Sequence, residues 1–350
     1  MQKQNMHVGL DIGYSSVKLA FGSGGEPEVV RLPVGAGPIE KCGLSMSGEK
    51  DVGAGHQVVI NGQPWIAGLD PSRLQGFVSS MDESYPQTDE YRALFYAALC
   101  ELGATTVDSL VTGLPVSHFM ELGVREKLEK LMLGRHYIRE DLTVEVKDVR
   151  VVPQPAGAYG AYVRDSAFGK EKVKVEPGMS VLVVDSGHYS LDWCIFEGAL
   201  KLESSGSTSS AGEVVVRRAA DKLSQQLGIR VRQARLQEAV LIGARPLVVG
   251  GREIEFWPAL HDVAGEIVRD NLKALKGSVR SVADIRGVDL VIVGGGGARL
   301  FQGALTEAFP ESQVVCLRES ITSNARGFYH YAASAMQKKA APEKRATAEA

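Results

Sequence analysis

The chain has 350 residues, 44% of them hydrophobic and 23% charged, with a net charge of −3. That size and balance suit two ordinary globular domains and exclude a collagen-like, disulfide-stapled or charge-rich disordered chain. The modest acidity points to no dedicated nucleic-acid surface, though a local basic patch stays open, and no apolar run has the length of a membrane span.

The predicted elements begin with a strand, "HVGLDI", a turn, "GYSS", and a second strand, "VKLAF". A third strand, "EVVRLPV", follows the glycine-rich turn from Gly22 to Gly25 and completes an antiparallel meander. Residues 34–56 are rich in Gly and Ser and lack periodicity, so a loop or irregular subdomain is expected. "QVVINGQPWIAG" is a hairpin, because Asn61-Gly62 supplies the positive φ angles of a type I′ turn. "TDEYRALFYAALCELG" is a helix, with Thr88 as N-cap, Asp89 and Glu90 in the first turn and Gly103 past its end. "DSLVTGLPV" is a buried strand. "MELGVREKLEKLML" is an amphipathic helix, with Leu122, Leu128, Leu131 and Met132 mostly sharing one face. "LTVEVKDVRVV" is a strand running into Pro153-Gln154-Pro155, and "AGAYGAYVRD" is helical.

The second half begins in the same way. "MSVLVVDS", "SLDWCIF" and "ALKLESS" form another three-strand meander. Two helices, "SAGEVVVRRAADKLSQQLG" and "RQARLQEAVLIGA", precede a hairpin around Gly250-Gly251. "PALHDVAGEIVRDNLKALKG" is a long helix with Pro258 in its first turn. "VDLVIVGGGG" is a buried strand ending in four glycines, with a helix from about Arg299. A strand, "SQVVCL", and a helix, "ITSNARGFYHYAASAMQ", follow.

The four cysteines, Cys42, Cys100, Cys194 and Cys316, lie far apart without a Cys-x-x-Cys pair. They predict reduced thiols in a cytoplasmic protein and no zinc site. "MQKQNMHVGL" has no apolar core or cleavage signal, so no secretory leader is expected. "QKKAAPEKRATAEA" is polar and broken by Pro342; it reads as a disordered tail over 339–350, without the apolar face of a membrane anchor.

Aligned on Asp11 and Asp185, the two meanders share Asp-x-Gly-x-x-Ser, with Lys18 opposite Asp192. Either turn alone is accounted for as an ordinary hairpin. Together, both after apolar strands, they suggest duplicated domains that face one another across a cleft. A Gly- and Ser-rich turn offers backbone N–H groups and a hydroxyl to an anion, and a strand-end Asp suits Mg²⁺ held through water. Lys18 is either a solvated strand lysine or a point charge on the phosphates. Gln154 is either a polar residue in a proline-stiffened linker or the group that orients an attacking water. Gly294 to Gly297 fit neither the Walker A nor the Rossmann spacing and suit a nucleoside platform better than a pyrophosphate cradle.

Five segments in order resemble the superfamily of actin, sugar kinases and heat-shock ATPases: "LDIGYSSVK", "VVPQPAGAYGAY", "VVDSGHYSLD", "VIVGGGGARLF" and "ITSNARGFYHYA". They span about residues 7 to 336 and are most similar to the bacterial ParM/StbA plasmid-segregation group, whose small hairpin "QVVINGQPWIAGLD" also resembles. The resemblance implies an α/β fold of two duplicated actin-like, ribonuclease H-like domains with a nucleotide cleft between them. Domain I would take residues 7–165 plus 322–338, with a small insertion at about 34–85, and domain II residues 178–321.

The same resemblance implies site roles. Asp11 would act on Mg²⁺ and phosphate, with Gly13, Ser15, Ser16 and Lys18 around the phosphates. Asp185 would hold Mg²⁺ through water, with Gly187, His188 and Ser190 beside it. Gln154 would activate water, and Gly294, Gly295, Gly296, Gly297 and Glu213 would meet the nucleoside. Two positions depart from the pattern. His188, followed by Tyr189, puts bulk where the family has a small residue, and Gln154 stands where several ParM-type proteins have Glu. The implied function is an ATPase that binds ATP or ADP with Mg²⁺ and forms head-to-tail filaments in plasmid segregation. Its expected partners are copies of itself and a DNA-binding adaptor, without direct contact to nucleic acid or membrane. A small-molecule kinase of the same superfamily is the alternative. A chaperone is disfavoured, because no peptide-binding domain follows the last helix.

Overall fold

The computed structural model describes residues 5–44, 48–77, 84–164, 173–208, 212–242, 244, 246–282 and 287–340. Of the tail expected over 339–350, residues 339 and 340 instead end the helix Ser323–Ala340, and 341–350, like the helix start at 210–211, lie outside the described residues. Each meander seeds a five-stranded sheet. In the first, His7–Ile12, Val17–Gly22 and Glu28–Leu32 run antiparallel, and Ser109–Leu114 and Val149–Pro153 continue in parallel beyond His7–Ile12. In the second, Val181–Ser186, Leu191–Glu197 and Ala199–Thr208 are antiparallel, followed by Leu290–Gly294 and Gln313–Cys316 in parallel. The spatial order is the same in both: third, second, first, fourth, fifth. The first strand of each is therefore central and buried along its length, which is why both read as apolar runs without alternation.

Two helices separate the sheets. Gln154–Arg164 packs on the second sheet, where Ala158 and Tyr162 join Val183 and Ile292. Ser323–Ala340 packs on the first, where Phe328 and Ala332 meet Val111. They cross at glycines: a Cβ on Gly327 would lie 1.7 Å from the carbonyl oxygen of Gly157. On its far face the second sheet carries Gly212–Leu227, Trp257–Val282 and Ala298–Ala308 in one apolar cluster. Among the described residues no helix is long and apolar enough to cross a membrane.

Several local expectations need correction. Within the range expected as a loop or irregular subdomain, Gly35–Pro38 is a strand that joins the hairpin His56–Ile60 and Gln63–Leu69 in a three-stranded sheet. A Cβ on Gly35 would lie 2.2 Å from Leu69 O, so the glycine that looks like a loop signal serves close strand approach. The hairpin turn has the expected angles, φ 52° at Asn61 and 78° at Gly62. The helix expected over 120–133 is shorter, Val124–Met132, because Gly123 adopts φ 86° at its N-cap, and a separate short helix, Val116–Met120, precedes it. Leu122 consequently leaves the apolar face and is fully exposed, while Leu128 and Met132 are buried. "LTVEVKDVRVV" also divides. Leu142–Val146 pairs with an unforeseen strand, Gly134–Arg139, in a separate small sheet, and only Val149–Pro153 joins the main one. Finally, Gln154 opens its helix instead of sitting in a linker before it.

Candidate functional site

The two Asp-x-Gly turns are built alike. Gly13 N–H donates to Ser16 O at 3.2 Å, and Gly187 N–H donates to Ser190 O at 2.9 Å. The strands leaving the turns place Lys18 directly opposite Asp11 and Asp192 directly opposite Asp185. Opposed residues share a face of a sheet, so each carboxylate has a fixed polar neighbour. Lys18 Nζ lies 3.4 Å from Asp11 Oδ2, and a Cβ on Gly13 would lie 2.8 Å from that ammonium. Glycine at position 13 thus leaves the lysine room over the turn.

One cavity between the sheets brings most of the expected residues together. It is lined by Asp11, Gly13, Ser15, Ser16, Lys18 and Gln154 from one side, and by Asp185, Gly187, His188, Ser190 and Gly295–Gly297 from the other. Gly294 is not on its wall; the glycine packs against Ala158, where a Cβ would approach to 2.9 Å. Glu213 is not on the wall either. Its carboxylate accepts from Gln233 Nε2 at 3.0 Å and pairs with Arg217 at 3.5 Å. Its backbone N–H donates to His188 O at 2.8 Å and so braces the second turn.

The centre of the cavity is a pair of buried carboxylates. Asp11 accepts from Gln154 Nε2 at 3.3 Å. Asp185 accepts on Oδ2 from Asn324 Nδ2 at 2.7 Å, while its Oδ1 is buried without a hydrogen-bond partner among the described residues. Burial, and then the neighbouring Asp11, push the Asp185 pKa up to about 7. Gly295, at φ 83°, lets the backbone pass beside this oxygen; a Cβ there would come within 2.4 Å of it. An orphaned carboxylate oxygen next to a second carboxylate is the chemistry of a hard-cation site. Asp11 and Asp185 would hold a Mg²⁺. Among the described residues no group of three or more His, Cys, Asp or Glu converges, so water and ligand oxygens would fill the remaining positions, as Mg²⁺ prefers.

Sequence reasoning missed several of these groups. Asn324 lies in "ITSNARG", where nothing distinguishes it from its polar neighbours until the helix packs beside Asp185. Asp192 was visible in the alignment of the turns but had no role. Its Oδ1 accepts the Val116 N–H at 2.7 Å and its Oδ2 the Ser190 hydroxyl, so it ties the second turn to the segment that leaves the first sheet. Asp192→Ala leaves the buried Val116 N–H without an acceptor. The expected loss is about 1–3 kcal/mol in urea unfolding, with a smaller loss for Asp192→Asn, which keeps an acceptor. The bulk after Gly187 also has a place. Tyr189 meets Tyr14 of the other turn at 5.2 Å between ring centroids, and Tyr14 stacks on Tyr85 at 4.9 Å. The tips of both turns therefore touch across the cavity. His188 is kept below its ordinary pKa by burial and stays neutral beside them.

Residues 9–157 match the family model described as the N-terminal domain of actin-like proteins. No curated protein sequence matches. An archaeal actin homologue of known structure is 19% identical, covering 95% of this chain and 100% of its own, at a TM-score of 0.72. The same homologue in complex with ADP is 18% identical, with 95% and 99% covered and a TM-score of 0.65. A ParM from a 15-stranded Clostridium botulinum filament is 14% identical, with 95% and 99% covered and a TM-score of 0.67. The chain therefore has the actin-like fold over nearly its whole length, the fold that the five segments led us to expect.

Proposed function

We propose that this actin-like chain binds Mg-ATP in the cavity between its two sheets, hydrolyses it, and assembles head to tail into filaments that serve plasmid or DNA segregation. The observation that carries the reading is the pair Asp11 and Asp185, brought together by duplicated turns, with one carboxylate oxygen left for a cation. Magnesium would supply charge neutralisation at the phosphates and a shell of ordered water. Lys18 and the Ser16 hydroxyl hold phosphate oxygens, Ser190 shapes the second turn with its hydroxyl given to Asp192, and Gly295–Gly297 allow the nucleoside to approach the backbone. Gln154, anchored through Nε2 to Asp11, turns its carbonyl oxygen to the attacking water, and Asp185 orients the waters around the cation. A head-to-tail contact that does not close would generate the filament. A cytoplasmic setting and a separate DNA-binding adaptor complete the reading, in keeping with free cysteines and a net charge of −3.

Light scattering and negative-stain microscopy with and without Mg-ATP test the assembly, and phosphate release tests the hydrolysis. A chain that stays monomeric at every concentration would sink the filament and spare nucleotide binding. Mg-ADP at about a hundred times its Kd is expected to stabilise the protein by roughly 2.7 kcal/mol, visible as a raised Tm; an unmoved Tm counts against the site. The same cavity is also lined by His118, Tyr85 and Tyr91, groups a nucleotide's phosphates do not need, and they favour a second reading, a small-molecule kinase. ATP turnover that requires an added sugar or acid would select it.

A further inference from the structure

We propose that Arg31 is a second phosphate-binding cation of the cleft, and that it engages the terminal phosphate of a nucleoside triphosphate. The inference rests on the nucleotide reading above and deepens it. Arg31 lies on strand Glu28–Leu32 directly opposite Lys18, so both side chains leave the same face of the first sheet near the same edge. Both line the cavity that holds Asp11, Gln154 and Asp185. Lys18 has an ionic partner in Asp11. The Arg31 side chain, among the described residues, has neither an ion pair nor a hydrogen bond.

Like charges placed opposite one another on neighbouring strands repel, and among the described residues no carboxylate pairs with this second one. An anion in the cavity would do so. The guanidinium fork suits two oxygens of one phosphate, a geometry that the compact Lys18 ammonium does not offer. Topology selects which phosphate. Gly295–Gly297 line the cavity from the second sheet, and Arg31 stands on the edge strand of the first sheet, one strand further than Lys18 from the central strand that carries Asp11. A phosphate chain that starts from a nucleoside on the glycines reaches Arg31 with its far end. A diphosphate stops at Lys18.

The test compares Mg²⁺ complexes of ADP and of a non-hydrolysable ATP analogue by calorimetry. Arg31 is exposed, so Arg31→Ala is expected to fold normally, which its Tm checks. The variant should lose about tenfold or more in affinity for the triphosphate, the scale of one charge-assisted contact, with diphosphate affinity changed less than about twofold. Arg31→Lys should recover part of the loss. Equal affinity of wild type and Arg31→Ala for the triphosphate overturns the proposal and leaves the nucleotide reading intact. Equal losses for both nucleotides overturn it as well, since Arg31 would then not discriminate. A wild-type protein that binds neither nucleotide removes the nucleotide reading itself, and the proposal with it.

Discussion

Asp185→Asn is expected to lower Mg²⁺-dependent ATP hydrolysis by roughly a hundredfold or more while leaving the nucleotide-free protein at least as stable as wild type. The two outcomes have one cause. Asp185 is buried, keeps one oxygen from every hydrogen bond and lies near a second carboxylate, so without a cation its charge is unfavourable. Asparagine has nearly the same shape and can still accept from Asn324 through its carbonyl, but it offers a cation no negative charge. The pH dependence gives a further signature. The carboxyl is held up at about 7 from an ordinary 3.8, so between those values the folded state binds more protons than the unfolded one. Stability of the nucleotide-free protein from this group therefore falls as pH rises from about 4 to 7 and levels off above. The asparagine variant should lack that slope. Phosphate release assays and urea unfolding across pH measure both; wild-type turnover in the variant would show that Asp185 does not serve the cation.

Gly327→Ala is expected to cost more than about 3 kcal/mol of stability, because the added methyl has no free direction. Its Cβ would stand 1.7 Å from the Gly157 carbonyl oxygen and 2.6 Å from the carbonyl carbon, both backbone atoms inside a helix. The two crossing helices must separate, and Ser323–Ala340 also carries Asn324, the hydrogen-bond donor to Asp185. Nucleotide affinity should fall together with the unfolding midpoint. Gly303→Ala is the control. It lies inside the exposed face of helix Ala298–Ala308 with nothing near the new methyl, so it should stabilise by about 0.5–1 kcal/mol. If both variants melt alike, the crossing is looser than its geometry implies.

What was legible in the sequence is what local chemistry encodes. Two apolar strands ending in Asp-x-Gly predict two hairpins, because burial and turn angles depend on neighbours only a few residues away. The repeat of that pattern was enough to pair Asp11 with Asp185 as one site, and both do line one cavity. Composition misled where glycine plays two parts. Gly35 belongs to a strand, Gly123 caps the start of a helix, and of the four glycines after Val293 the first faces a helix instead of the cavity.

By itself, then, the sequence determined the two meanders, their turns and the carboxylates that end their first strands. Only the tertiary structure decided that Asn324 reaches Asp185 from 139 positions away, that Arg31 stands beside Lys18 over the same cavity, and that Gly157 and Gly327 allow the helices to meet. These are contacts between surfaces formed far apart in the chain. Their partners are selected by strand register and close packing, and neither leaves a periodic trace in the residues that make them.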